Sequence, residues 1–211
     1  MEHDFWHERW TQGQIGFHEP QANALLVRWF DALELSAGQR IFLPLCGKTL
    51  DIHWLLERGM HVVGVELSEL AVRQLFDELG VAPAVSHVGA LKRYSAVGID
   101  VFVGDIFSLD ADTLGSVDAI YDRAALVALP DAMRVRYAEH LVSLTDRVRQ
   151  LVICVEYDQA VMNGPPFAIH EADIRSYYDD VYQLESLARI SVAGGLKGRC
   201  PAHEQVWLLT R

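Results

Sequence analysis

Residues 40–70 read "RIFLPLCGKTLDIHWLLERGMHVVGVELSEL". An apolar run, "RIFLPL", ends at a tight loop, and a helical stretch from Thr49 to Arg58 follows. Gly59 then supplies the left-handed stop that helices favour, and a second apolar run, "HVVGVEL", ends on an acid. Strand, loop, helix and strand in this order predict a βαβ unit with parallel strands. In open α/β sheets a ligand lies beyond the carboxyl ends of the strands, where strand order reverses. The loop "PLCGK" and the acid Glu66 both fall at such ends.

The spacing sharpens that reading. Gly47 and Glu66 stand 19 positions apart, close to the ~20 expected between a first-loop glycine and a ribose-binding acid. A carboxylate accepts hydrogen bonds from both ribose hydroxyls. The loop nevertheless carries one glycine, where a pyrophosphate needs close backbone approach and a run of free N–H donors. It lacks both GxGxxG and the GxxxxGK[ST] spacing that "CGKT" superficially imitates. A nucleoside-type ligand without phosphate fits best, and S-adenosylmethionine is such a ligand. Taken singly, each feature has a plainer reading: Gly47 and Gly59 as turn glycines, Glu66 as a solvated acid, Asp105 as the cap of the turn after it. Their order along successive strand ends favours the site.

The rest of the chain supports one α/β domain over 1–211. Leu25, Leu26, Trp29, Phe30 and Leu33 share a helical face. Ser68 caps a helix with Ala71, Val72, Leu75, Phe76 and Leu79 on one side, stopped by Gly80. "KRYSA" and "IDVFVG" read as strands turned at Val97–Gly98, and "VDAIYD" as a further strand. Pro130–Asp131 opens a long helix with Met133, Tyr137, Leu141 and Leu144 expected inward, and "QLVICVEYD" reads as a buried parallel strand. "YQLESLARISV" and "EQVWLLTR" are separated by too little chain for a parallel crossover, so they pair antiparallel. A doubly wound, mostly parallel, seven-stranded-type sheet with an antiparallel end is the usual plan of class I S-adenosylmethionine-dependent methyltransferases.

Composition removes other classes. The formal net charge of −11 disfavours nucleic acid and anionic membrane surfaces as partners. No apolar run approaches the ~20 residues of a membrane span, and "MEHDFWHERW" lacks a signal-peptide core. Three scattered cysteines suit a reducing cytoplasm, and the nine histidines form no metal-binding spacing. No exposed apolar stripe demands a partner, so a monomer is expected. Cys46 reads as packing, and no GxSxG elbow is present. The aromatics Phe5, Trp6, Trp10 and Phe17 read either as a helix packed on the core or as a lid, 1–20, whose π faces screen a sulfonium.

Five motifs carry a family resemblance. "FWHERWTQGQIGFHE" (5–19), "FLPLCGKTLDIHWLLERGMHVVGVELSE" (42–69), "GDIFSL" (104–109), "DAIYDRAALVAL" (118–129) and "GPPFAI" (164–169) together resemble the thiopurine S-methyltransferases, particularly bacterial members. The resemblance implies S-adenosylmethionine as cofactor, with Trp10, Leu45, Gly47, Glu66, Asp105, Ile106 and Arg123 at its site. It implies a small aromatic or heterocyclic thiol as acceptor, with Arg123 beside both molecules and Phe17, Pro166 and Phe167 at the acceptor. Transfer would be a direct displacement of the methyl group by sulfur. The glycine-containing loop "AGGLKGRCP" (193–201) departs from the animal enzymes, so Lys197 and Arg199 receive no role. Competing expectations are a selenium or tellurium acceptor, an NAD(P)-dependent oxidoreductase, and a non-catalytic cofactor-binding module.

Overall fold

The computed structural model describes residues 3–16 and 18–211. The chain forms two compact units, Met1–Ile120 and Tyr121–Arg211. In the first, helix α1 (His3–Thr11) precedes a short α2 (Ala24–Trp29) whose cap, Asn23, accepts the N–H groups of Leu25 and Leu26. Strand β1 (Arg40–Pro44), α3 (Asp51–Glu57) and β2 (His61–Glu66) form the βαβ unit, and β1 and β2 run parallel from Arg40–His61 to Pro44–Val65.

Beyond β2 lies α4 (Glu69–Leu79), bounded as expected by Ser68, which accepts the Ala71 N–H, and by Gly80 in the left-handed region. Its Ala71, Val72, Leu75 and Phe76 are fully or almost fully buried. Burying each of the two larger side chains contributes about 1.5–3 kcal/mol. Three further strands follow, β3 (Ala84–Val88), β4 (Leu91–Ala96) and β5 (Ile99–Val103). β5 pairs parallel with β2, while β4 joins β5, and β3 joins β4, antiparallel. After the one-turn α5 (Ala111–Leu114) comes β6 (Ala119–Arg123), whose Ala119 and Ile120 pair parallel with Ile41 and Phe42 of β1. Thus β1 sits between β2 and β6, the order reverses there, and the loop 45–50 leaves the sheet at that point.

The second unit holds α6 (Asp131–Thr145), β7 (Arg149–Tyr157), α7 (Glu171–Tyr178), β8 (Gln183–Ser191) and β9 (Ala202–Thr210). β9 pairs antiparallel with both β7 and β8, as the short connection between the last two strands requires. Strands β1, β2, β4 and β5 of the first unit, β6 across residues 120 and 121, and β7, β8 and β9 of the second are the eight runs read as strands. The fold is α/β, with parallel strands at its centre and antiparallel strands at its end: the class I methyltransferase fold, preceded by the helix α1.

Two details differ from expectation. The hairpin β3–β4 adds an edge strand that the reading of "AVSHV" missed, because all but the last of its residues are exposed and present no apolar side. On α6, Arg134 is buried while Met133 is only half-buried. Periodicity sends an arginine outward by default. Here its Nε donates to the Leu129 carbonyl at 2.9 Å, and its guanidinium lies 5.5 Å from the Phe167 ring centroid.

Among the described residues no helix is long and apolar enough to cross a membrane, and no group of three His, Cys, Asp or Glu is placed to hold a metal ion.

Candidate functional site

The loop after β1 is strained by design. Leu45 takes φ +48° and Gly47 φ +54°, the left-handed region that side chains with a Cβ rarely adopt. The Cys46 N–H donates to the Val65 carbonyl at 3.1 Å, which fixes the loop to the end of β2. Glu66 completes the tether. Its Oε2 accepts the Gly47 N–H at 2.9 Å, and its Oε1 accepts the Ser68 N–H at 2.8 Å. The carboxylate is 6 % exposed, and burial pushes its pKa up while the Ser68, Gly47 and Leu67 N–H groups pull it down.

Trp10, the last buried residue of α1, closes the other side of the loop. A Cβ placed on Gly47 would stand 3.1 Å from Trp10 Cζ2 and 3.4 Å from Cη2. Trp10 is 5 % exposed, while Phe5 and Trp6 pair edge-to-face with each other at 5.3 Å. Of the aromatic cluster, Trp10 meets the loop at Gly47.

Asp105 follows β5. The Gly104 N–H donates to the Glu66 carbonyl at 2.9 Å, which sets the end of β5 against the end of β2. Asp105 caps its own turn by accepting the Phe107 N–H at 3.0 Å, the plainer of its two readings, and its Oδ2 lies 3.4 Å from His3 Nε2 on α1. Ile106 beside it is buried. Trp10, Leu45, Gly47, Glu66, Asp105 and Ile106 are thus gathered around the carboxyl ends of β1, β2 and β5. Lys48 points elsewhere: its Nζ bonds Glu78 on α4 at 2.6 Å, so the likeness of "CGKT" to a phosphate loop has no counterpart in space.

Cys46 packs as its place in the sequence suggested, while its partner Gly64 and a second role of Ser68 escaped the reading of the sequence. Cys46 Sγ fills the space above Gly64 of β2, where a Cβ would come within 2.7 Å of it. Burial, and then the Glu66 charge, hold that thiol protonated well above its usual range, so it packs and does not attack. Ser68 both caps α4 and donates its N–H to Glu66. A polar cap two residues after a strand-end acid is the signal that reveals this second role.

The remaining predicted residues lie in the second unit, except Phe17, which lies outside the described residues. Arg123 ends β6 and is followed by Ala124 at φ +63°. Asp122 before it is fully buried. Its Oδ2 accepts the Tyr137 hydroxyl at 2.7 Å and its Oδ1 the Leu126 N–H at 3.1 Å. Pro166 and Phe167 belong to the loop between β7 and α7. An open cleft of about 410 Å³ there is lined by Arg134, Gln159, Asn163, Phe167 and His170.

A buried acid with backbone donors on both oxygens suits a sugar. A carboxylate offers about four acceptor sites, so these bonds leave room for a ligand hydroxyl. The family profile described as thiopurine S-methyltransferase matches residues 1–211. The chain belongs to the thiopurine S-methyltransferase family, and with it to the S-adenosylmethionine-dependent methyltransferases.

Relatives named thiopurine S-methyltransferase include one from Xanthobacter autotrophicus, 56% identical, with 100% of each chain covered. Another, from Gluconobacter oxydans, is 51% identical over 96% of this chain and 92% of its own. Among solved structures, a Burkholderia thailandensis 1,6-didemethyltoxoflavin-N1-methyltransferase with bound S-adenosylhomocysteine is similar in fold. Its TM-score is 0.67 at 14% identity, over 99% of this chain and 87% of that one. Within the thiopurine S-methyltransferase family, the single-glycine loop and Glu66 are the features of this chain that suit S-adenosylmethionine.

Proposed function

We propose that the protein transfers the methyl group of S-adenosylmethionine to the sulfur of a small aromatic or heterocyclic thiol, with thiopurines as the representative class. The observation that carries this reading is the buried Glu66 carboxylate at the switch point of the sheet, bonded to Gly47 and walled by Trp10. S-Adenosylmethionine, when bound, supplies a methyl carbon already activated by a sulfonium charge.

What the chain does is bind, orient and dry. Glu66 accepts from the ribose hydroxyls, and the loop 45–47 passes close to the amino-acid portion without needing to cradle a phosphate. Asp105 and Ile106 flank the adenine. Trp10 contributes a π face that attracts a cation and keeps water from it. Arg123 favours the thiolate over the thiol, because a nearby cation stabilises the anion. Phe17, Pro166 and Phe167 shape the acceptor's surroundings. The acceptor sulfur forms a bond to the methyl carbon as the sulfonium sulfur leaves as a neutral thioether, and the thiol proton departs to solvent. Holding the three atoms in line supplies most of the acceleration. In this reading residues 1–211 act as one methyltransferase domain with 1–20 as its lid, in the cytoplasm and as a monomer.

The test is methyl transfer from labelled S-adenosylmethionine to a panel of aromatic thiols, selenides and tellurite. Turnover on aromatic thiols above the other acceptors supports the proposal. Turnover confined to selenium or tellurium compounds replaces its acceptor.

A further inference from the structure

The loop "MNGPPFA" (162–168) cannot hold itself together. Pro165 and Pro166 have no N–H, so the segment forgoes two backbone donors while its carbonyls still need partners. Side chains supply them. The Tyr157 hydroxyl donates to the Pro166 carbonyl at 2.6 Å. Gln159 Nε2 donates to the Met162 carbonyl at 2.5 Å and to Tyr157 Oη at 3.0 Å. Gln159 Oε1 accepts the Ala168 N–H at 2.7 Å.

One carboxamide therefore binds both ends of the loop, and one phenol binds its middle. The two are joined, and the directions are forced: the single Tyr157 proton goes to Pro166, so the phenol oxygen accepts from Gln159. A carboxylate at 159 would have no proton to give Met162, and a thioether would serve neither end. Both side chains are themselves anchored. Tyr157 ends β7 at 3 % exposure, and Gln159 begins a 3₁₀ turn whose cap, Asp158, accepts the Ala160 N–H at 3.0 Å. Two further bonds complete the frame, from the Phe167 N–H to the Val127 carbonyl at 2.7 Å and from Lys197 Nζ to the Pro165 carbonyl at 3.2 Å. The Phe167 ring folds back over Gly164, where a Cβ would meet it at 2.6 Å.

We infer that Tyr157 and Gln159 are positioning residues for the methyl acceptor: their joined hydrogen bonds set the placement of Pro166 and Phe167, and so the fit of an aromatic thiol. This rests on the reading above that Pro166 and Phe167 border the acceptor. Neither Tyr157 nor Gln159 need touch the acceptor for this, since each acts through the loop.

The experiment is steady-state kinetics of the full chain with 6-mercaptopurine and with thiophenol, for Tyr157→Phe, Gln159→Met and Phe167→Leu. S-Adenosylhomocysteine affinity is measured by calorimetry for each variant. Losing one such bond should raise the acceptor KM about fivefold to tenfold. S-Adenosylhomocysteine affinity should stay within about twofold of the wild type, because the loop is placed at the acceptor, while turnover should fall with the acceptor's alignment. The smaller thiophenol should suffer less than 6-mercaptopurine. Tyr157→Phe keeps the buried ring, so it carries the test if Gln159→Met fails to fold. A raised KM in Phe167→Leu with an unchanged KM in both other variants overturns the positioning role and leaves the loop at the acceptor. An unchanged KM in Phe167→Leu removes the loop from the acceptor, and the inference with it. Equal losses in acceptor KM and S-adenosylhomocysteine affinity make the roles merely structural and also overturn it.

Discussion

Glu66 accepts the backbone N–H of Gly47 at 2.9 Å across 19 positions of chain, so the acid that suits a ribose also holds the loop beside it. Its other oxygen takes the Ser68 N–H. Glu66→Gln would turn an NH₂ group toward one of these two donors. The unmet donor lowers stability with or without ligand, and the ribose hydroxyls also lose a charged acceptor, which costs about 1–3 kcal/mol of binding. S-Adenosylhomocysteine affinity, read by calorimetric titration, should therefore fall about tenfold or more. Unchanged affinity would remove Glu66 from the site.

Gly47→Ala meets two obstacles at once. A left-handed φ costs a residue with a Cβ about 1–2 kcal/mol, and Trp10 Cζ2 stands 3.1 Å from that Cβ. The variant should bind S-adenosylhomocysteine less well and melt lower. Combining it with Trp10→Leu should recover part of the melting temperature but not the affinity, because the aromatic wall is lost. Full recovery of both would deny Trp10 a role in binding.

Gly64 and Cys46 form a lock within the first unit. A Cβ at Gly64 would lie 2.7 Å from Cys46 Sγ, in a strand flanked by others on both sides. Gly64→Ala should destabilise by about 1–3 kcal/mol, the usual range for overpacking. Cys46→Ala removes the sulfur and should restore most of that loss in the double variant. Additive effects in a urea-denaturation cycle would show the two sites to be independent.

Much of this was legible from the chain, and the parts that were not share a cause. Ser68 and Gly80 bound α4 as expected, because a cap and a left-handed stop act within a few residues. Gly47 and Glu66 were found by spacing, since a βαβ unit has a nearly fixed length. Gln159 and Arg134 were not found. Each is a polar side chain whose partners, Met162 and Ala168 for one and Leu129 and Phe167 for the other, become neighbours only when loops close. Edge strand β3 was missed because it buries no side chain that periodicity detects. Asp105 shows the opposite limit: its capping of the next turn and its expected place at the ligand are compatible, and residue type alone separates neither.

Asp122 should make stability depend on pH in an unusual direction. Burial pushes its carboxyl up to about 6, despite donation from Tyr137 and from the Leu126 and Ala125 N–H groups. The folded state therefore holds the proton more tightly than the unfolded chain, whose aspartate titrates near 4. Stability from this group is fully present below about pH 4 and is lost as pH rises through about 6. The loss amounts to at most about 3 kcal/mol for a shift of about two units. Asp122→Asn keeps an oxygen for Leu126 and cannot ionise, so its stability should change less between pH 4.5 and 7.5. Urea denaturation at both pH values checks this, and parallel profiles would contradict it.

The most direct test of the site is a crystal structure of the protein with S-adenosylhomocysteine. The ribose hydroxyls are expected within hydrogen-bond distance of the Glu66 carboxylate, with the amino-acid portion along residues 45–47 and Trp10 against the ligand. A ribose bound elsewhere, with Glu66 touching only Gly47 and its neighbours, would contradict the assignment.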